Sequence, residues 1–130
     1  MSDRMRTQSF ENILDSALSE FENVNSIFSI PASGFHKRNA GTWPLLGQNL
    51  DTPIGPAAGP HTQLCRNIVS AFLAGCSFFE LKTVQRMDEI EFEKPCIDAL
   101  DEGYNTEWSQ ELSLEDSCEE YLKAWVLIHV

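Results

Sequence analysis

The sequence predicts an α/β fold, and three observations carry that prediction: an apolar pattern of helical spacing between residues 62 and 75, a short extended piece through Ile54 before it, and a β-prone run from Phe78 to Val84 after it. Strand, helix and strand with short joints form a right-handed βαβ unit, which calls for a parallel sheet covered by helices. The chain has 130 residues, 42% of them hydrophobic, which is one domain's worth or less. Its composition suits a packed core and is too unbiased for a disordered tail.

Each element has its own justification. Phe10, Ile13, Leu14, Ala17, Leu18 and Phe21 recur at helical spacing, with Ser9 as N-cap and Glu11 in the first turn, so an amphipathic helix opens the chain. From Asn23 to Gly41 the period disappears, yet Ile27, Phe28, Ile30, Pro31 and Phe35 supply apolar anchors for an ordered connector. Two short apolar pieces flank Gly47-Gln48-Asn49 between Trp43 and Pro53, which suits a small hairpin or a turn leading into the next strand. The strand through Ile54 must be brief, because Pro53, Pro56 and Pro60 donate no ladder hydrogen bonds. Thr62 caps the next helix, which carries Leu64, Ile68, Ala71 and Phe72 on one face and stops at Gly75. Asp88 to Glu120 holds 13 acidic residues and one base, Lys94, and reads as a solvated excursion. Ser113 and Asp116 then have capping-box spacing. Leu114, Cys118, Tyr121, Leu122, Trp125, Ile128 and His129 line one face of a last helix. That pattern is still running at Val130, with no Gly, Pro or basic cap, so the sequence reads as part of a longer one.

Charge and composition exclude several function classes. With 20 acidic against 9 basic side chains the formal charge is −11, which repels nucleic-acid phosphates and anionic lipid head groups. No run of about 18 apolar residues occurs, and MSDRMRTQSFEN lacks the apolar middle of a secretion signal, so the expected location is the cytoplasm, with no membrane partner. Cys65, Cys76, Cys96 and Cys118 form no CxxC pair and have no His cluster near them, so no metal ligands are assigned and the four are expected to be buried thiols. GxSxG, HExxH, P-loop and GxGxxG sequences are all lacking.

The chemistry-bearing signal is a pair of segments. Ala57-Ala58-Gly59 places small residues at the carboxyl end of the first strand, where backbone can approach a flat ligand; the same turn also suits a plain strand-to-helix joint. On the second strand, alternation puts Glu80 and Lys82 on one face. If that face is covered they must meet each other, water or a ligand, although an edge strand or a structural ion pair would also account for them. A buried lysine beside a redox cofactor could offset negative charge that develops during electron transfer. His61 reads as a surface position, and His36 and His129 carry no partner motif.

Thr52 to Leu64, Phe79 to Gln85, Glu93 to Ala99 and Asn105 to Ser109 are four ordered motifs that together resemble the N-terminal region of the bacterial selenate reductase subunit. That family comprises large iron–sulfur flavoproteins related to dihydropyrimidine dehydrogenase and, more distantly, to dihydroorotate dehydrogenase. The resemblance implies the first two βα units of an FMN-binding (β/α)₈ barrel, truncated and preceded by an N-terminal helix. Residues 1–42 would be helix and connector, and 43–130 the start of the barrel. It implies that Ala57, Ala58 and Gly59 lie against the flavin, that Lys82 with Thr83 contacts flavin or substrate, and that Asn105 binds substrate. The catalytic Cys or Ser base would fall later in such a barrel, so no residue here is assigned that role. Such barrels take about 250 residues, so FAD, NAD(P)H and iron–sulfur sites are implied only for other regions of a parent protein. The expected function is thus a cytoplasmic FMN-dependent oxidoreductase moving electrons or hydride to or from a small-molecule substrate, its isolated N-terminal fragment being inactive and poorly soluble. The competing reading is a non-catalytic acidic module that docks on a basic partner.

Overall fold

The computed structural model describes residues 6–84 and 112–130. Among these, the order is one helix, two small antiparallel hairpins, a 3₁₀ turn and two further helices. Helix α1 (Phe10–Val24) begins as expected: the Ser9 hydroxyl accepts from the Asn12 N–H, filling one of the donors left over at a helix start. It ends at Asn25, whose left-handed backbone (φ 55°) lets the cap N–H return to the Phe21 carbonyl.

The connector is more regular than its sequence suggests. Strands β1 (Ser26–Ile27) and β2 (Ile30–Pro31) pair antiparallel around Phe28 and Ser29, both at positive φ (49° and 67°), the geometry of a two-residue type I′ turn. Phe28 tolerates that conformation because its ring is buried in the core. The Glu20 carboxylate holds the turn from α1, accepting from Ser26 Oγ at 2.5 Å and from the Ser29 N–H at 2.7 Å. The second hairpin, β3 (Trp43–Leu45) with β4 (Gln48–Leu50), stands where the sequence places it and turns through Leu46 and Gly47.

Helix α2 (Cys65–Leu73) starts later than expected. Pro60–Gln63 forms a 3₁₀ turn first, and Thr62 caps that turn instead of α2: its hydroxyl donates to the Gly59 carbonyl at 2.9 Å and accepts from the Gly59 N–H at 3.2 Å. Gly75, at φ 112°, ends the helical segment as expected. Helix α3 (Leu114–His129) keeps its Ser113–Asp116 cap but is rotated relative to the expected apolar face. Ser117, Glu120 and Ala124 point inward, whereas Leu114, Cys118, Leu122, Trp125 and His129 face solvent, with Tyr121 and Ile128 half-buried. The cause is electrostatic: Glu120 Oε2 accepts the Cys65 N–H at 2.8 Å, so α3 supplies the N-terminal cap that α2 lacks, and this fixes which side of α3 faces in. Ile13, Ala17, Phe28, Cys65, Ile68, Val69 and Ala124 form the core between the three helices, each large aliphatic side chain there contributing about 1.5–3 kcal/mol.

The two expected barrel strands run as extended neighbours with two backbone–backbone bonds between them. The Ser77 N–H donates to the Ile54 carbonyl at 2.9 Å and the Glu80 N–H to the Pro56 carbonyl at 3.4 Å, both in the sense of a parallel pair. Pro53 and Pro56 donate nothing in return, which is why no regular ladder forms there. A Cβ on Gly55 would stand 2.3 Å from the Phe78 carbonyl oxygen, so the approach requires glycine.

The amino ends of these segments are tied by a dense polar network. His36 Nε2 meets Asp51 Oδ2 at 2.6 Å, and the Asn39 N–H donates to Asp51 Oδ1. Burial pushes the Asp51 carboxyl up, but the hydrogen bonds from His36 and Asn39 outweigh it and hold the group below the usual range. The Arg38 guanidinium lies 3.9 Å over the Phe72 ring and donates to the Phe72 and Cys76 carbonyls and to Ser77 Oγ. Thr52 Oγ1 donates to the Gly75 carbonyl at 2.6 Å.

Candidate functional site

At the other, carboxyl end the chain bends through Ala57, Ala58 and Gly59. Ala57 is exposed, Ala58 half-buried and Gly59 buried, so the bend offers methyl groups and backbone with no side-chain bulk. Two of its three amides are already engaged. The Ala58 N–H donates to Glu80 Oε2 at 3.2 Å and the Gly59 N–H to Thr62 Oγ1, so this turn is not an open nest of donors for an anion.

Lys82 ends the second extended segment and is only 5% exposed. Its ammonium donates to the Thr83 carbonyl at 3.1 Å among its contacts, while its own carbonyl accepts the Tyr121 hydroxyl at 3.3 Å. Helix α3 therefore anchors the segment at the lysine itself. Burial raises the Tyr121 phenol above its ordinary range, which keeps it a neutral donor. The expected alternation breaks at this point: Glu80 is exposed and reaches across to the bend, whereas Lys82 turns inward. Without a regular ladder on both sides, strict strand alternation does not apply to the segment. Thr83 is exposed, and Asn105 lies outside the described residues. Most of the acidic stretch that supported a docking module, residues 88–111, lies outside them as well.

Sequence reasoning missed the polar junction beneath the bend. All the buried polar side chains among the described residues, Thr62, Gln63, Lys82, Ser117 and Glu120, belong to the 3₁₀ turn, the lysine segment or the inner face of α3. Glu120 is neutralised by Lys123 at 3.0 Å; burial disfavours the Lys123 charge, but Glu120 and Glu119 outweigh it and raise its pKa. The Gln63 amide is fully buried with neither its oxygen nor its nitrogen paired, and the same holds for Ser117 Oγ. The spacing of Ser117, Glu120 and Ala124 at three and four residues was the available signal, masked by the stronger apolar stripe on the opposite side.

The remaining candidates resolve simply. His61 is exposed, as expected. Cys65 is buried and its thiol is pushed up to about 12, first by burial and then by the Glu120 charge, so it is inert at neutral pH. Contrary to expectation Cys76 is only half-buried and Cys118 is exposed, while Cys96 lies outside the described residues. Among the described residues no group of three or more His, Cys, Asp or Glu could hold a metal ion, and no helix is long and apolar enough to cross a membrane.

Comparison with known proteins gives this geometry a family. Residues 28–130 match the family model described as "Oxidoreductase YgfK, N-terminal TIM-barrel domain". The whole chain is 50% identical over 131 aligned positions to the proteins named "Putative oxidoreductase YgfK" in Escherichia coli K12 and in Escherichia coli O157:H7. It spans 13% of the length of each. No solved structure matches. The parallel pair around α2 is thus part of an unclosed (β/α) barrel preceded by helix α1, and the chain belongs to the family of the oxidoreductase YgfK N-terminal TIM-barrel domain.

Proposed function

We propose that this chain is the opening part of an FMN-dependent oxidoreductase, in which the bend at 57–59 and the ammonium of Lys82 form one side of a flavin site. The reading draws on the oxidoreductase family, on the parallel pair of segments, and above all on Lys82: a cation buried at the carboxyl end of a barrel segment, the end where barrel enzymes build their sites. The residues fit the group. Two methyl side chains and a glycine make a largely apolar surface, and with two of its three amides engaged inside the protein it favours a ring over a phosphate.

FMN, when bound, supplies one- or two-electron transfer. The chain's own residues orient and stabilise. Ala57 and Ala58 exclude water from the ring face, Lys82 donates to flavin or substrate and offsets growing negative charge, and Thr83 flanks it. Asn105 is proposed to bind substrate. Residues 1–42 serve as helix and connector, and 43–130 as the barrel start. The dihydropyrimidine and dihydroorotate dehydrogenase type, selenate as acceptor, the FAD, NAD(P)H and iron–sulfur regions and the cytoplasmic location all belong to this proposal through the resemblance of the four motifs.

The test is Lys82→Ala in the complete gene product purified with its flavin. Retention of FMN through gel filtration should fall, or the rate of flavin reduction should drop about tenfold or more. If the complete protein lacks yellow absorbance, or if both quantities stay at wild-type values in the variant, the assignment is wrong.

A further inference from the structure

We infer that Glu80 is a positioning residue for the same site: its carboxylate fixes the bend at 57–59 by taking up the Ala58 N–H, and so decides which face of the bend a ligand meets. This inference rests on the flavin reading only for its functional consequence. The contact spans 22 residues of sequence, from Ala58 N to Glu80 Oε2 at 3.2 Å, and joins the two extended segments just beyond their last backbone bond, Glu80 N to the Pro56 carbonyl at 3.4 Å.

The bend needs such a brace because its sequence gives it little else. Pro56 and Pro60 remove two amides that could have tied it down, and Ala57 and Ala58 have side chains too short to hydrogen-bond. Thr62 secures only the Gly59 end, through both its N–H and its carbonyl. Glu80 secures the other. With the Ala58 and Gly59 amides engaged inside the protein, only the Ala57 N–H of the bend is left beside its methyl groups, which suits the face of a flat ring better than an anionic group. A carboxylate at this point is itself repulsive to anions and reinforces the selection. Glu80 remains exposed, so the bond is one an incoming group could compete with.

Three variants of the complete protein test the assignment with two readouts: hydrogen–deuterium exchange in the peptide spanning residues 54–63, measured without FMN, and equilibrium binding of added FMN to the apoprotein. In Glu80→Ala the peptide should exchange about tenfold faster and FMN should bind about tenfold more weakly. Glu80→Gln keeps an acceptor oxygen of the same reach, so both quantities should return to within about threefold of wild type. Thr62→Val, which frees the Gly59 end, should speed exchange in the same peptide. Unchanged exchange in Glu80→Ala overturns the brace, whatever FMN does. Fast exchange with undiminished FMN binding overturns its consequence for the ligand. A Glu80→Gln protein as impaired as Glu80→Ala would show that charge acts where the acceptor was assigned. If the wild-type apoprotein binds no FMN, the flavin reading fails, while the exchange result still decides the brace.

Discussion

Replacing Glu120 separates the two ways a buried carboxylate can act on stability. At 2% exposure its two oxygens hold the Cys65 N–H at 2.8 Å and the Lys123 ammonium at 3.0 Å. Glu120→Ala orphans the first donor of α2, leaves Lys123 with the exposed Glu119 and the Gln8 carbonyl, and opens a void at a buried position. Removing one partner of a buried, hydrogen-bonded ion pair costs about 3–5 kcal/mol. Glu120→Gln fills the same volume and keeps one oxygen for Cys65, so its cost should be about 1–2 kcal/mol. Urea unfolding followed by circular dichroism reads the difference: with slopes of about 1–3 kcal/mol per molar, Glu120→Ala should lower the midpoint by about 1–3 M and Glu120→Gln by less than half as much. Because α2 is held to α3 at this point, Cys65 should also become reactive toward a thiol reagent in the Ala variant. Two variants of equal stability within about 0.5 kcal/mol of wild type would refute the cap, and with it the explanation for the rotation of α3.

Three further outcomes are expected. The Glu20 carboxyl sits below its usual value of 4.5 because Ser26 and Ser29 donate to it, so its support of the β1–β2 turn is complete above that value and fades as pH falls through the lower folded one; amide signals of Ser26 to Ile30 should therefore move below about pH 4, and an unaltered turn at pH 2 would contradict the assignment. Leu46 is almost wholly exposed at φ 49° ahead of Gly47, so Leu46→Asn creates an Asn-Gly turn and should raise stability by about 0.5–1 kcal/mol in thermal unfolding. Gly55→Ala forces a methyl group to 2.3 Å from the Phe78 carbonyl oxygen, so the parallel segments must separate and the Ser77 amide, bonded to Ile54, should lose its exchange protection.

The parts of the fold legible in sequence are those written in local spacing and end signals. Ser9 and Ser113 mark helix starts because a short hydroxyl at the cap position has one dominant use, and Gly75 marks a stop for a similar reason. The hairpin at Ser26–Pro31 was hidden because Phe28 and Ser29 adopt positive φ without an Asn or Gly to announce it; tertiary burial of the Phe28 ring outweighs the local strain. Thr62 was misplaced by one turn because Pro60 starts a 3₁₀ turn before α2 begins. Helix α3 was misjudged because both of its sides carry usable side chains, and the choice between them rests on an atom of Cys65, 55 residues away. For the proposed site, Ala57, Ala58, Gly59 and Lys82 stand out in sequence only as residue types at the end of an expected strand. The Glu80–Ala58 bond and the unpaired Gln63 were not, since neither leaves a spacing pattern.

The two ends of the parallel pair differ in a way that composition alone would not suggest. At the amino ends, Arg38 donates to three acceptors, the Asp51 oxygens receive His36 and Asn39, and Thr52 and Ser77 bond each other and the backbone, so the polar groups close on themselves. At the carboxyl ends, a lysine is buried, a glutamine amide has no partner, a bend is braced by an exposed carboxylate, and small side chains leave its surface open. A closed network gains nothing from further ligands, whereas an unpaired buried amide costs stability until something meets it, by about 1–3 kcal/mol. The polar network at the amino end of this unit is therefore closed, whereas the carboxyl end keeps an unpaired buried amide. That is the division a barrel requires if the chemistry at its carboxyl end is to vary while the scaffold holds.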